Sequence, residues 1–218
     1  MTTTTQPTGL SRTELAHRVA ADLVDGWCVN VGIGAPLLLP AQVPPDRQVL
    51  FHCEHGLVGI GPQVPAEEAD PDVTDAGKNY VSLLEGAAAF DSSISFAIAR
   101  GGRLDLAVLG ALQVGETGDL ANWVVPGGDP GVGGAMDLAV GARRVWVMMT
   151  HLDKQGNPKL LSSCTFPLTG RGVVDRVYTD LAVFEFVDGR LVLRECAAGT
   201  GPERVAELTE AAFTVDLW

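Results

Sequence analysis

An α/β fold, with an open mostly parallel sheet, helices on both faces and an antiparallel edge, is what these 218 residues predict. Three observations carry that expectation. Short apolar runs end repeatedly in glycine loops, helix-length intervals separate the runs, and the last third of the chain changes to an alternating pattern. With 46% hydrophobic and 19% charged residues the chain has the balance of a folded globular protein. Its length suits a single domain over 11–218 behind a polar, unpatterned and disordered tail over 1–10.

The elements follow in order. "SRTE" sets Ser11 three residues ahead of Glu14, the spacing of a capping box, and Leu15, Val19 and Leu23 recur at helical spacing until Gly26. That predicts an amphipathic helix of about four turns. "WCVNV" (27–31), "QVLF" (48–51), "LDLAVLGALQV" (104–114) and "RRVWVMMT" (143–150) read as buried strands. The first runs into "GIGAP" and the second into "FHCEHGLVGIGP" (51–62), whose glycines predict a flexible loop. In "VVDRVYTDLAVFEFVDGRLVLREC" (173–196) Asp188-Gly189 marks a hairpin, and Pro202 opens a closing helix over 202–213. Ligands of open α/β sheets gather at the carboxyl ends of strands, so "VGIGAP", "HGLVGIGP" and "GDPGVGGAMD" should converge on one crevice.

The net charge of -12 disfavours binding to phosphate backbones, which needs a surplus of Lys and Arg. A small phosphate-bearing ligand still fits, because a few N–H groups or one lysine can hold it. No run of 18 apolar residues and no signal-peptide pattern occurs, so a cytoplasmic protein is expected. Cys28, Cys53, Cys164 and Cys196 form no CxxC pair, which points to reduced, mostly buried thiols.

The candidate chemistries narrow quickly. His52-Cys53-Glu54 matches one half of the zinc deaminase pattern, but the P-C-x-x-C half is absent, so His52 and His55 read as loop-positioning residues and no metal is expected. No glycine run spells G-x-G-x-x-G or leads to GK[ST], and no G-x-S-x-G elbow exists. Nothing marks Cys53 or Cys164 as an activated thiol. Glu54 remains. A glutamate has an ordinary pKa of about 4.3, so it is ionised at neutral pH and can attack an activated acyl carbon without a partner base. The mixed anhydride that results keeps the energy of a thioester, provided water is shut out.

"EHGLVGIGP", "DAGK", "SFAIARGG", "LGALQVGETGDLANW", "GVGGAMDLAVGA", "CTFPLTG" and "YTDLAVF" follow the order and spacing of the second, or beta, subunit of the 3-oxoacid coenzyme A transferases. The chain resembles that family over roughly residues 12–213. The resemblance implies the coenzyme A transferase, or NagB/RpiA-like, fold and a ping-pong transfer of CoA from succinyl-CoA to a 3-oxo acid through a glutamyl-CoA thioester. Glu54 falls on the family's nucleophile, and the amide of Gly134 falls on an oxyanion donor. "GGAMDLAVGA" reads independently as a helix entered through glycines, with free N–H groups at its start. Lys78 and Asn122 fall where the family holds CoA. Gly32 and Gly34 would line the same cleft, as would His55, Gly56 and Gly133 beside the two catalytic positions. The acyl-CoA and 3-oxo acid are substrates, with no permanently bound cofactor. A separate alpha subunit would complete an α2β2 assembly, without which this chain is expected to be inactive.

The chain departs from the family pattern at several points. "SENG" becomes "CEHG", placing a thiol at Cys53 and an imidazole at His55. A cationic His55 would stabilise ionised Glu54 and give the activity an acid limit. "RGGH" becomes "RGGR" at Arg103, "NAGK" becomes "DAGK" at Asp75, and "PGK" near Pro126 becomes "PGGD". "KQGNPKL", "CTFPLTG" and "RVYTDLAVF" are more similar to the 3-oxoadipate than to the acetoacetate transferases. A dicarboxylic acceptor would want a cation such as Arg100, Arg103 or a partner residue. An acetoacetate transferase subunit, another acyl-CoA enzyme of this fold and a non-catalytic ligand-binding relative are the alternatives.

Overall fold

The computed structural model describes residues 9–44, 46–128 and 131–218. Most of the expected tail lies outside the described residues. Its last residue is anchored: Leu10 packs on the core and donates its N–H to the Asp180 carbonyl at 2.8 Å.

Helix α1 (Arg12–Ala21) begins with the expected capping box. Glu14 N–H donates to Ser11 Oγ at 3.3 Å, and Ser11 N–H donates to Glu14 Oε2 at 2.8 Å. It ends at Asp22, a full turn before Gly26, and so is shorter than its periodicity suggested. Arg47 explains the stop, because its guanidinium donates to the Ala20, Ala21 and Leu23 carbonyls at the helix end.

The chain continues through β1 (Cys28–Val31), a 3-10 helix (Ala35–Ala41), β2 (Leu50–Cys53), β3 (Leu57–Gln63), β4 (Val81–Ala89), α2 (Ser92–Arg100) and β5 (Leu106–Leu109). After β6 (Gln113–Gly115) and β7 (Leu120–Ala121) come α3 (Ala135–Gly141), β8 (Val145–Met149), β9 (Leu160–Leu161) and β10 (Arg176–Thr179). The hairpin β11 (Ala182–Val187) and β12 (Arg190–Cys196), helix α4 (Pro202–Glu207) and β13 (Thr214–Val215) close it. Ten strands form one sheet in the order β13-β12-β11-β10-β8-β5-β1-β2-β3-β4, and β7-β6-β9 form a small second sheet. The run from β10 to β2 is parallel, and antiparallel pairs flank it on both sides.

Alternation along the central strands divides two cores. Leu106 and Val108 of β5, with Trp146 and Met148 of β8, face α1 and the 3-10 helix, where Leu15, Val19 and Leu39 cover them. Ala107 and Leu109, with Val145 and Val147, face the other way, under Ala99 of α2, Leu138 of α3 and Val205 of α4. Each fully buried Leu or Val contributes about 1.5–3 kcal/mol, so the two layers together supply the main driving force for folding. No helix among the described residues is long and apolar enough to cross a membrane.

Three expectations need correction. From Leu57 onward "HGLVGIGP" is strand β3 rather than a loop, paired to β2 at Cys53↔Leu57 and His52↔Val58. Its glycines serve the sheet: a Cβ on Gly59 would stand 2.8 Å from Ala87 Cα, so only glycine lets β3 and β4 approach. The closing helix stops at Glu207, because Thr209 Oγ1 donates to the Val205 carbonyl and the next amides, Glu210 and Ala211, turn to Leu160. Of the four free cysteines only Cys53 is buried; the other three are half-buried. The Asp188-Gly189 hairpin is as expected, with both residues at positive φ, 49° and 73°.

Candidate active site

Strand β2 falls at Leu50–Cys53, two residues later than its apolar run suggested, and Glu54 is therefore the first residue beyond its carboxyl end. Gly56 N–H donates to the Cys53 carbonyl at 3.0 Å, closing a tight turn that carries Glu54 and His55 at its tip. Gly56 has φ +126°, and a Cβ there would lie 2.1 Å from the Phe90 carbonyl oxygen, so no other residue fits.

Chain order reverses around β1: β2 lies on one side of it and β5, reached later, on the other. Such switch points open a crevice beyond the strand ends. Here it is a cavity of about 370 Å³. Gly32 and Ile33 follow β1, Leu109 ends β5 and Gly110 to Leu112 follow it, and Glu54 follows β2; Asn122, Trp123, the glycine run 131–134 and the start of α3 complete the wall. Glu54 is half-buried, with Oε2 out of solvent and without a hydrogen-bond partner among the described residues. A buried, unsatisfied carboxylate oxygen costs stability, the signature of a group kept for a ligand. A larger cavity of about 500 Å³, between the 3-10 helix and β2–β4, contains none of the expected site residues.

The structure thus brings together Gly32, Glu54, Asn122, Gly133 and Gly134. Gly34, His55, Gly56 and Lys78 are not on the cavity wall. Gly34 caps the 3-10 helix, and Gly56 shapes the turn. Asn122 is largely occupied within the chain: Nδ2 donates to the Gly110 carbonyl at 3.0 Å, and Oδ1 accepts from Thr169 Oγ1 at 2.6 Å. It therefore holds the loop after β5 as well as facing the cavity. Helix α3 spans only seven residues, so the expected dipole contribution shrinks to individual N–H groups at its start. The sequence reading missed Ile33, Ala111, Leu112 and Trp123 as wall residues, although the strand-end rule that located the glycines points to the same loops.

His55 and Lys78 belong to a rim around the Glu54 turn. His55 Nε2–H donates to the Thr74 carbonyl at 3.0 Å, so the imidazole fastens the 74–80 segment. In that segment buried Asp75 accepts from Gly77 N–H, Asn79 N–H and Asn79 Nδ2, and Lys78 N–H donates to the Asp75 carbonyl. The turn so formed holds Lys78 at φ +64°. Arg100 is paired with Asp137 at 2.7 Å, and neither it nor Arg103 faces the cavity. Burial pushes the Cys53 thiol up to about 12 and Cys164 up to about 11, which leaves both as protonated packing groups.

A mostly parallel sheet with a carboxylate in a glycine-walled crevice at its switch point has the arrangement of an α/β ligand-binding site. The model of the family described as Coenzyme A transferase matches residues 12–207, and the chain belongs to that family, on the side of its beta subunits. It is 54% identical over 191 residues to the beta subunit of the 3-oxoadipate CoA-transferase of Pseudomonas putida, covering 86% of this chain and 89% of that one. It is 47% identical over 206 residues to the corresponding subunit of the probable succinyl-CoA:3-ketoacid coenzyme A transferase of Bacillus subtilis, covering 94% and 95%. In fold it is similar to the acyl-CoA transferase YdiF of Escherichia coli O157:H7, with a TM-score of 0.74 at 18% identity. The match covers 96% of this chain, which spans 43% of the length of that structure.

Proposed function

We propose that this chain is the nucleophile-bearing subunit of a transferase that moves CoA from succinyl-CoA to 3-oxoadipate, with Glu54 as the nucleophile and Gly134 N–H as an oxyanion donor. The observation that carries the reading is the Glu54 carboxylate itself, one oxygen buried and unpartnered at the mouth of the cavity, against Gly134.

The steps balance without water or net proton transfer. A Glu54 carboxylate oxygen attacks the succinyl thioester carbon, the C–S bond breaks, and CoA thiolate leaves behind a glutamyl-succinyl anhydride. The thiolate attacks the Glu54 acyl carbon and succinate departs, leaving glutamyl-CoA thioester. The acceptor carboxylate then displaces CoA from Glu54 to form a second anhydride, and the thiolate attacks the acceptor acyl carbon, freeing the Glu54 carboxylate. Negative charge gathers on an acyl oxygen at every addition, and a preorganised N–H aimed at it is typically worth about 3–4 kcal/mol.

Succinyl and 3-oxoadipyl groups each end in a second carboxylate. The described cavity wall carries no Lys or Arg, and Arg100 is committed to Asp137. The matching cation is therefore expected from an alpha subunit, which also supplies the rest of the site in a soluble heteromer, two of each chain. The subunit names of the relatives and the span of YdiF left over by this chain support that division. The 54% identity to the 3-oxoadipate enzyme of Pseudomonas putida supports that acceptor, although a second 3-oxoadipate enzyme, at 46%, is no more similar than the 3-ketoacid enzyme at 47%. Lys78 and Asn122 are assigned to CoA.

The test is a peptide map of the complex with its alpha subunit after succinyl-CoA treatment and borohydride quenching, which reduces an enzyme thioester to an alcohol. The mass change is expected on the peptide containing Glu54; an unmodified Glu54, with succinyl-CoA shown to bind, removes the covalent route. Rates with 3-oxoadipate and acetoacetate then decide the acceptor.

A further inference from the structure

Directly behind Glu54, three polar side chains meet where apolar ones would pack. Asn30 of β1 and Ser95 of α2 are fully buried, and His52 of β2 is 1% exposed. Asn30 Nδ2 donates to His52 Nδ1 at 3.0 Å, which fixes the tautomer with the proton on Nε2; that nitrogen lies 2.9 Å from Ser95 Oγ. The Ser95 hydroxyl points on to the Cys53 carbonyl at 3.5 Å, the same oxygen that accepts from Gly56 N–H. Asn30 Nδ2 also donates to the His52 carbonyl at 3.2 Å. Burial pushes His52 down to about 4, so the imidazole stays neutral and the donor direction does not change near neutral pH.

We propose that Asn30, His52 and Ser95 are positioning residues that fix the peptide joining Cys53 to Glu54 and so aim the Glu54 carboxylate at Gly134. The inference rests on the reading of Glu54 as the nucleophile. The chain of donors ends on the carbonyl of the peptide whose N–H belongs to Glu54. Two donors on that oxygen set the plane of the peptide and, through it, the direction of the Glu54 Cα–Cβ bond. Helix α2 also reaches the Gly134 side of the cavity. Ser95 is followed on α2 by Phe96, whose ring would stand 2.9 Å from a Cβ on Gly134. Helix α2 thus touches both the network behind Glu54 and the backbone of Gly134. The network costs stability to keep, since Asn30 Oδ1 is buried without a hydrogen-bond partner among the described residues. A polar cluster that lowers stability immediately behind a reacting group is the kind of local compromise that function explains.

The experiment measures kcat and the KM for succinyl-CoA in the complex with the alpha subunit, for Ser95→Ala, His52→Gln, His52→Leu and Glu54→Gln. Positioning predicts that Ser95→Ala and His52→Leu lower kcat about tenfold or more, with KM within about twofold. His52→Gln, which still offers an amide donor, should retain several times the kcat of His52→Leu. Packing alone predicts the reverse order, because Leu fills the space without polar atoms. Equal rates for His52→Leu and His52→Gln, or a Ser95→Ala kcat within twofold of the parent, would overturn the proposal; Ser95→Ala removes a single oxygen and decides the matter where His52→Leu fails to assemble. Glu54→Gln separates the two readings: turnover retained there removes the nucleophile, whereas turnover lost there with Ser95→Ala unaffected removes only the positioning network.

Discussion

Gly134 lies against Glu54: a Cβ added to the glycine would stand 3.4 Å from Glu54 Cγ and 2.9 Å from Cε1 and Cζ of Phe96. The backbone of Gly134, the proposed oxyanion donor, thus packs against the side chain of Glu54, the proposed nucleophile. Gly134→Ala keeps the N–H but forces the Phe96 ring to move and crowds the glutamate. Because a misplacement of about 1 Å costs on the order of a hundredfold, kcat is expected to fall by about that factor while the chain still folds and pairs. Steady-state kinetics beside a thermal melt checks it; an active Gly134→Ala would mean that the donor lies elsewhere.

Gly56→Ala should fail differently. The added methyl meets the Phe90 carbonyl oxygen at 2.1 Å, and that backbone is itself held by the bond from Phe90 N–H to the Gly56 carbonyl at 2.9 Å. With φ at +126°, neither clash nor strain can be relieved by a side-chain rotation. Stability is expected to drop by about 3 kcal/mol or more, read as a lower urea midpoint at fixed protein concentration. A midpoint unchanged from the parent would contradict the turn geometry.

The parallel strands and the hairpin were legible because their signals are local: an apolar run, or Asp188-Gly189 between alternating segments. The strand character of 57–63 was not. Glycine in "GLVGIGP" predicts a loop from the residue alone, and only the partner strand β4, remote in sequence, shows that the missing side chain at Gly59 is what lets two backbones approach. The site divides the same way. Glu54 and the glycines stood out by chemistry, and family motifs gave them order. Ser95 carries no signal, since a serine in an amphipathic helix is ordinary, and its bond to His52 joins residues 43 apart.

Acid should loosen the fold through two histidines. His52 and His151 are each pushed down to about 4, chiefly by burial, and His151 is neutral between Thr179 Oγ1 and Thr209 Oγ1, each 3.0 Å away. Their unfolded values are near 6.5, so between roughly pH 6.5 and 4 the unfolded chain binds more protons and stability rises with pH. The neutral form's advantage is complete above pH 6.5 and is lost as pH falls toward 4. At pH 5 the loss is on the order of 2 kcal/mol for each histidine. Urea unfolding at pH 7 and pH 5 measures it, and His151→Gln should flatten the dependence; equal stability at the two pH values would show that neither ring is buried as described.

Lys78 offers the sharpest separation of binding from folding. It closes the Asp75 to Lys78 turn in a left-handed conformation, φ +64°, which costs a residue with a Cβ about 1–2 kcal/mol. Lys78→Gly relieves that strain but gives the unfolded chain back about 0.4–1 kcal/mol of entropy, so the stability of the protein should hardly change. The Asp75 carboxylate still accepts from Gly77 and Asn79, and His55 still holds Thr74, so the segment keeps its shape. If the ammonium group meets the phosphates of CoA, its removal raises the KM for succinyl-CoA roughly tenfold and weakens the dependence of that KM on salt, with kcat preserved. An unchanged KM would assign Lys78 to the rim alone and return the phosphates to backbone N–H groups or to the alpha subunit.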